Sequence, residues 1–100
     1  MNPIIEIIEQ ESKYTFEQLK KPNRKKPVKV ARHILIYFLL NQKYNTPKQV
    51  AAICNRDRST CLHSKSLIKD MVDQQDSLFM PLFERVAKRI NDAGLMVKSY

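Results

Sequence analysis

The chain has 100 residues, 43% of them hydrophobic, which suits one folded domain and is too apolar for a disordered segment. Its formal net charge of +8 favours an anionic partner, namely nucleic acid, a membrane surface or an acidic protein. The only glycine is Gly94, so a phosphate-cradling glycine loop is excluded and we expect no nucleotide cofactor.

Location is predicted from three further features of the sequence. No apolar run reaches the roughly 18–20 residues that cross a bilayer, and the first residues lack the basic start of a secretory signal. Cys54 and Cys61 are too few for a disulfide framework. We therefore expect a cytoplasmic protein.

The first quarter of the chain predicts two helices and a basic loop. Isoleucines recur at helical spacing across residues 3–10, although isoleucine also suits strands. Thr15 and Gln18 match a capping box, which predicts a short helix that Pro22 ends. Residues 20–27 carry lysines, an arginine and two prolines without an acidic residue, so we expect an exposed basic loop.

Residues 28–42 are the most apolar stretch of the chain. Their apolar positions cover most of a helical circumference, which is typical of a helix in the middle of a bundle. The N-terminal edge of this helix is expected to be more exposed to solvent, at Lys29, Arg32 and His33.

A short helix, a tight turn of about three residues and a longer helix are predicted at 46–75. Thr46 caps the short helix and Pro47 occupies its first position. Asn55 can end it in place of glycine, and Asp57 can cap the longer helix. Helical spacing predicts that the inward face of the longer helix consists of Cys61, Ser64, Ile68, Met71 and Val72. This outline is a helix-turn-helix, which also occurs in helical proteins of other functions.

A last helix is predicted after Asp76, running to about Asp92. Its inward residues are expected to be Leu82, Phe83, Val86 and Ile90. The sequence therefore predicts an all-α bundle of about six helices, folded as one domain over residues 1–100.

A family resemblance makes the helix-turn-helix specific. Residues 56–63 read Arg-Asp-Arg-Ser-Thr-Cys-Leu-His. They resemble the signature Arg-Asp-His-Ser/Thr-Thr-Val-Leu-His of the C-terminal DNA-binding domain (domain IV) of the bacterial replication initiator DnaA. Residues 31–39 are similar to that family's central helix, and 14–19 to its helix-opening segment. The resemblance covers residues 3–92 and implies a Trp-repressor-like helix-turn-helix that binds double-stranded DNA, here without the initiator's ATPase.

The resemblance also implies where DNA is contacted. The start of the second helix of the pair would lie in the major groove, and the basic loop in the adjacent minor groove, whose negative potential attracts arginine. The residues that would contact DNA are Arg24, Lys25, Lys26, Arg32, His33, Lys48, Arg56, Asp57, Arg58, Ser59, Thr60 and His63. Such a protein would be associated with the nucleoid.

Two departures from the family pattern bear on the target sequence. The family usually has two glycines before its Arg-Asp pair, whereas this chain has Cys54 and Asn55 and is one residue shorter. Arg58 replaces a histidine that meets a thymine methyl, and arginine prefers guanine O6/N7 or a phosphate. The nine-base DnaA box is therefore not necessarily the target.

Simpler interpretations stand beside these assignments. Asp57 can be an N-cap alone, His63 an ordinary surface histidine, and residues 20–27 a solvated run of charge. Cys54 and Cys61 fit no zinc-finger spacing, so we expect core cysteines, no metal and no catalysis.

Two other functions are open from the sequence. A protein-interaction adaptor could keep the fold and lose specific DNA recognition. Association of residues 28–42 with an acidic membrane is disfavoured, because a helix that is apolar nearly all round is expected to be buried.

Overall fold

The computed structural model describes residues 2–22, 25–42 and 45–95. Six helices make up most of these ranges: α1 (Pro3–Ser12), α2 (Phe16–Lys20), α3 (Lys26–Asn41), α4 (Pro47–Cys54), α5 (Arg58–Gln74) and α6 (Phe79–Asp92). No strand occurs within the described ranges. The prediction of an all-α bundle of about six helices is confirmed.

Helix α3 is the centre of the bundle, as its apolar circumference predicted. The other five helices all contact it, and most of its residues from Val28 onward are buried. Near its C-terminal end the ring of Phe38 stacks on Phe83 of α6, with centroids 5.4 Å apart. Phe83 in turn stacks on Phe79 at 4.8 Å, so three aromatic rings join α3 to α6.

Helix α1 closes the core against α3 and α6. Its four isoleucines are all buried, which confirms a helix rather than a strand at this position. At its C-terminal end the carboxylate of Glu11 accepts from Arg85 Nε at 3.0 Å and from Arg89 Nη1 at 3.1 Å. Partial burial alone would raise the pKa of Glu11, but the two arginines outweigh it and lower that pKa.

The predicted caps of α2 and α4 are present in the structure. Thr15 with Gln18 and Thr46 with Gln49 each form a reciprocal capping box. Asn55 adopts the left-handed conformation with φ 54°, replacing the glycine that usually ends a helix. The two helices of the helix-turn-helix are therefore α4 and α5, joined by the three residues 55–57.

We expect Thr46→Ala to lower the free energy of unfolding by about 1 kcal/mol, because the first turn of α4 loses its side-chain acceptor. The Thr46 hydroxyl accepts from the backbone N–H of Gln49 at 3.2 Å. Urea denaturation would measure the change. Thr46→Ser keeps the acceptor and should retain most of the stability; equal losses in both variants would contradict the capping role.

Candidate nucleic-acid interface

The turn between α4 and α5 is fixed by backbone hydrogen bonds. The N–H of Arg56 reaches back to the carbonyl of Ala51 at 2.9 Å, closing the end of α4 around the left-handed Asn55. Although the family pattern has two glycines here, a single asparagine makes the reversal. Asp57 then leaves the turn in an extended conformation and α5 begins at Arg58.

Helix α5 divides into an anchored face and an open face at its start. Cys61, Ser64 and Ile68 are buried, at spacings of three and four residues that put them on one side. Arg58, Ser59, Leu62 and His63 are exposed. The helix that would read DNA is thus held by its inner face while its first two turns present mainly polar side chains to solvent.

Asp57 occupies the N-cap position of α5, but its side chain makes no capping hydrogen bond. Its carboxylate instead receives a long contact of 3.5 Å from the hydroxyl of Thr60. The predicted position of the cap is confirmed and the predicted capping bond is wrong. The carboxylate lies toward the Thr60 hydroxyl rather than toward the backbone N–H groups of the first turn, and Asp57 stays exposed in solvent at the start of the helix.

Arg32 is buried, so the prediction that it lies on the solvent-exposed edge of α3 is wrong. Only 8% of it is exposed. Its Nε donates to the carbonyl of Leu19 at 2.8 Å and its Nη2 to that of Lys21 at 3.0 Å. The last carbonyls of a helix lack intrahelical partners, and here α2 supplies acceptors that draw the guanidinium inward.

Arg56 is also directed at the end of α2. Its Nη1 donates to the carbonyl of Lys20 at 2.7 Å and its Nη2 to that of Lys21 at 3.2 Å. These bonds place the start of the basic loop beside the turn of the helix-turn-helix. Arg56, which makes them, precedes Arg58 by two residues. The two elements that the sequence assigned to DNA are neighbours in the structure.

His33, on α3, is half-buried against α5. Its Nδ1 lies 2.8 Å from the Ser64 hydroxyl, which itself lies 3.2 Å from the Thr60 carbonyl. If Ser64 donates to that carbonyl, Nδ1 carries the proton and Nε2 is an acceptor. Burial, followed by the positive charges of Arg32 and Lys29, lowers the pKa of His33 to about 4. A neutral His33 offers no positive charge to a phosphate.

The basic loop is shorter than the predicted 20–27, because Lys20 ends α2 and Lys26 begins α3. Its described residues 21, 22 and 25 are exposed. Lys25 is the N-cap residue of α3, and Lys26, its first helical residue, forms an ion pair of 3.1 Å with Asp76. Hydrogen bonding from the N–H of Phe79 and from Lys26 lowers the pKa of that aspartate. Lys48 is exposed in the first turn of α4. Arg24, predicted to enter the minor groove, lies outside the described residues.

The cysteines lie in the core, as predicted. Burial raises the pKa of Cys54 to about 12 and also raises that of Cys61, so both thiols stay protonated at neutral pH. Within the residues that the structure describes, no three potential metal ligands come together. In the same part of the chain, every helix is too short or too polar to cross a membrane.

Sequence reasoning missed two features of this region. Leu62 is 41% exposed beside the polar residues at the start of α5, and nothing in its residue type singles it out. The contact between His33 and Ser64 joins residues 31 positions apart. The spacing of Ser64 with Cys61 and Ile68 predicted that it faces inward, but not its partner.

Comparison with known families supplies an independent finding. The family model described as the bacterial DnaA protein helix-turn-helix matches residues 1–68 of the chain. The match includes α1 to α4 and the start of α5, and ends before α6. No curated protein matches the chain.

Proposed function

The chain belongs to the bacterial DnaA helix-turn-helix family, which is a family of DNA-binding rather than catalytic domains, and we propose that it binds double-stranded DNA with the start of α5 in the major groove. The basic loop would lie in the adjacent minor groove. The observation that carries this proposal is the start of α5, where exposed polar side chains face solvent and the opposite face is anchored in the core.

The chemistry at the start of α5 fits base edges. A helix N-terminus has unpaired N–H groups and positive potential, which favour a nearby phosphate. Arg58 matches the O6/N7 edge of guanine, and Asp57 can accept from the amino group of cytosine. Ser59, Thr60 and, one turn later, His63 can bond a base edge or a phosphate. Because Arg58 replaces the family's histidine, we propose a target with guanine at the corresponding position.

The remaining proposed residues divide into contacts and supports. Lys25, Lys26 and Lys48 are exposed and would bind phosphates, with Lys26 exchanging Asp76 for DNA. Arg24 would enter the minor groove, as the resemblance implies. Direct phosphate contact by Arg32 or Arg56 would require their carbonyl bonds to be given up, and His33 is neutral. We therefore propose that these three residues do not contact DNA and instead hold the contacting elements in place through their internal hydrogen bonds.

The proposal is tested by fluorescence anisotropy with a labelled duplex drawn from a random-sequence pool. We expect binding at about 50 mM salt that weakens as salt rises, because phosphate contacts release counterions. Selection of the bound duplexes over several rounds should then enrich a guanine-containing site. Absence of binding at low salt, or binding that is insensitive to salt, would overturn the proposal.

We expect Arg58→Ala to weaken binding to the selected duplex by about tenfold and to relax preference at one base pair, since one bidentate base contact is lost. Anisotropy on the selected site and on its single-base variants would measure both effects. Lys88→Ala on α6 removes the same charge from another exposed position and is the matched control. Equal losses from both variants would indicate general charge attraction and contradict base reading by Arg58.

A further inference from the structure

Two arginines converge on the C-terminal end of α2. Three successive carbonyls, those of Leu19, Lys20 and Lys21, accept four hydrogen bonds of 2.7 to 3.2 Å from them. Arg32 reaches this end from α3 and Arg56 reaches it from the turn between α4 and α5. The partial negative charge at a helix C-terminus favours cations there.

The arrangement places two like charges side by side. Burial lowers the pKa of Arg32, and the neighbouring charge of Arg56 lowers it further. Helix α2 has only five residues, and Arg32 alone already bonds two of the three carbonyls. The second arginine adds a connection that the first does not make, because it belongs to the turn that leads into α5.

That connection runs between the two proposed DNA-binding elements. On one side of Arg56, its backbone N–H is bonded to Ala51 of α4, and α5 starts two residues later. On the other side, its guanidinium holds Lys20 and Lys21, the first residues of the basic loop. A shift of Lys20 and Lys21 relative to α5 would have to break these bonds.

We propose that Arg56 is a positioning residue that fixes the start of the basic loop, at Lys20 and Lys21, relative to the recognition helix, so that the two engage adjacent grooves of one duplex together. The inference rests on the proposed function. A planar guanidinium suits this role because its forked donors reach two carbonyls at once, whereas a lysine ammonium acts as a point charge.

The first test uses DNA-free protein. Arg56→Ala should speed hydrogen exchange of the amides in residues 16–21 by about tenfold, because the end of α2 loses two donors. Arg58→Ala, which removes an exposed arginine from the same region, should leave this exchange unchanged, as should Thr46→Ala, which weakens α4 without touching the bonds to α2. Unchanged exchange in Arg56→Ala would overturn the positioning role.

The second test compares substitutions at Arg56 on the selected duplex. Arg56→Ala and Arg56→Lys should both weaken binding by about tenfold, since neither holds both carbonyls. If Arg56 instead contacted a phosphate directly, the lysine variant would keep the charge and bind nearly as well as the unmodified chain. That rescue would overturn the proposal.

A double-mutant cycle of Arg56→Ala with Lys21→Ala separates positioning from general weakening. Lys21 is exposed at the start of the basic loop, and its substitution keeps the carbonyl that accepts from Arg56. Lys21→Ala should weaken DNA binding several-fold in the unmodified chain and little in Arg56→Ala, because a displaced loop start no longer brings Lys21 to DNA. The cycle of Arg58→Ala with Lys21→Ala should be additive. Additivity in the Arg56 cycle would reject the inference while leaving DNA binding in place, whereas a chain that binds no duplex would reject the proposed function itself.

Discussion

Phe38→Ala is expected to lower the free energy of unfolding by about 3–5 kcal/mol, because it removes a buried aromatic ring and leaves a cavity. The ring of Phe38 is 1% exposed. It stacks on Phe83 at 5.4 Å and meets Tyr37 edge-on at 5.0 Å. Its loss would remove the ring of α3 from the aromatic stack that joins α3 to α6. Urea denaturation followed by circular dichroism would measure the change in midpoint.

The control for this prediction is an exposed leucine in the same protein. Leu62→Ala removes apolar volume from a side chain that is 41% exposed, and it should change stability by no more than about 0.5 kcal/mol. Phe38→Leu, which fills part of the cavity, should lie between the two. A loss below about 1 kcal/mol for Phe38→Ala would mean that α6 does not pack on α3 as described.

Features set by neighbouring residues were predictable from the sequence. A capping box needs only Thr46 and Gln49, three positions apart, and the short range of that interaction makes it readable. Helical spacing of apolar residues likewise predicted the inward face of α5. The apolar circumference of residues 28–42 was enough to place α3 in the middle of the bundle.

The hydrogen-bond partners of the two arginines at the end of α2 were not predictable, because these partners lie far away along the chain. Arg32 and Arg56 bond carbonyls that are 11 to 36 residues distant. Charge alone predicts exposure for an arginine, so Arg32 was expected on the solvent-exposed edge of α3. The ion pair of Arg89 with Glu11 spans 78 positions and also left no sequence pattern.

The same limit applies to the candidate site. The motif at 56–63 predicted which residues start α5, and the family resemblance predicted their partner. Which of them face solvent and which support the others depends on tertiary contacts. Arg56 and Arg58 are the same residue type two positions apart, yet one is bonded to α2 and the other is exposed.

Lowering the pH from about 7.5 to about 5 is expected to reduce stability through His33 by about 2 kcal/mol. The pKa of His33 is lowered from 6.5 to about 4 in the folded chain. The unfolded chain therefore takes up a proton first as the pH falls, and stability is lost between pH 6.5 and 4. Denaturation midpoints measured across this range would test the prediction.

The variant His33→Gln isolates this contribution, because glutamine does not titrate and can still donate to the Ser64 hydroxyl. Glu11 and Asp76 also lose stabilising interactions in acid, but their lowered carboxylate pKa values place that loss at the acidic end of the range. The stability difference between the unmodified chain and His33→Gln should therefore change mainly above pH 4. A pH profile that His33→Gln does not flatten would show that burial of this imidazole is not what destabilises the protonated fold.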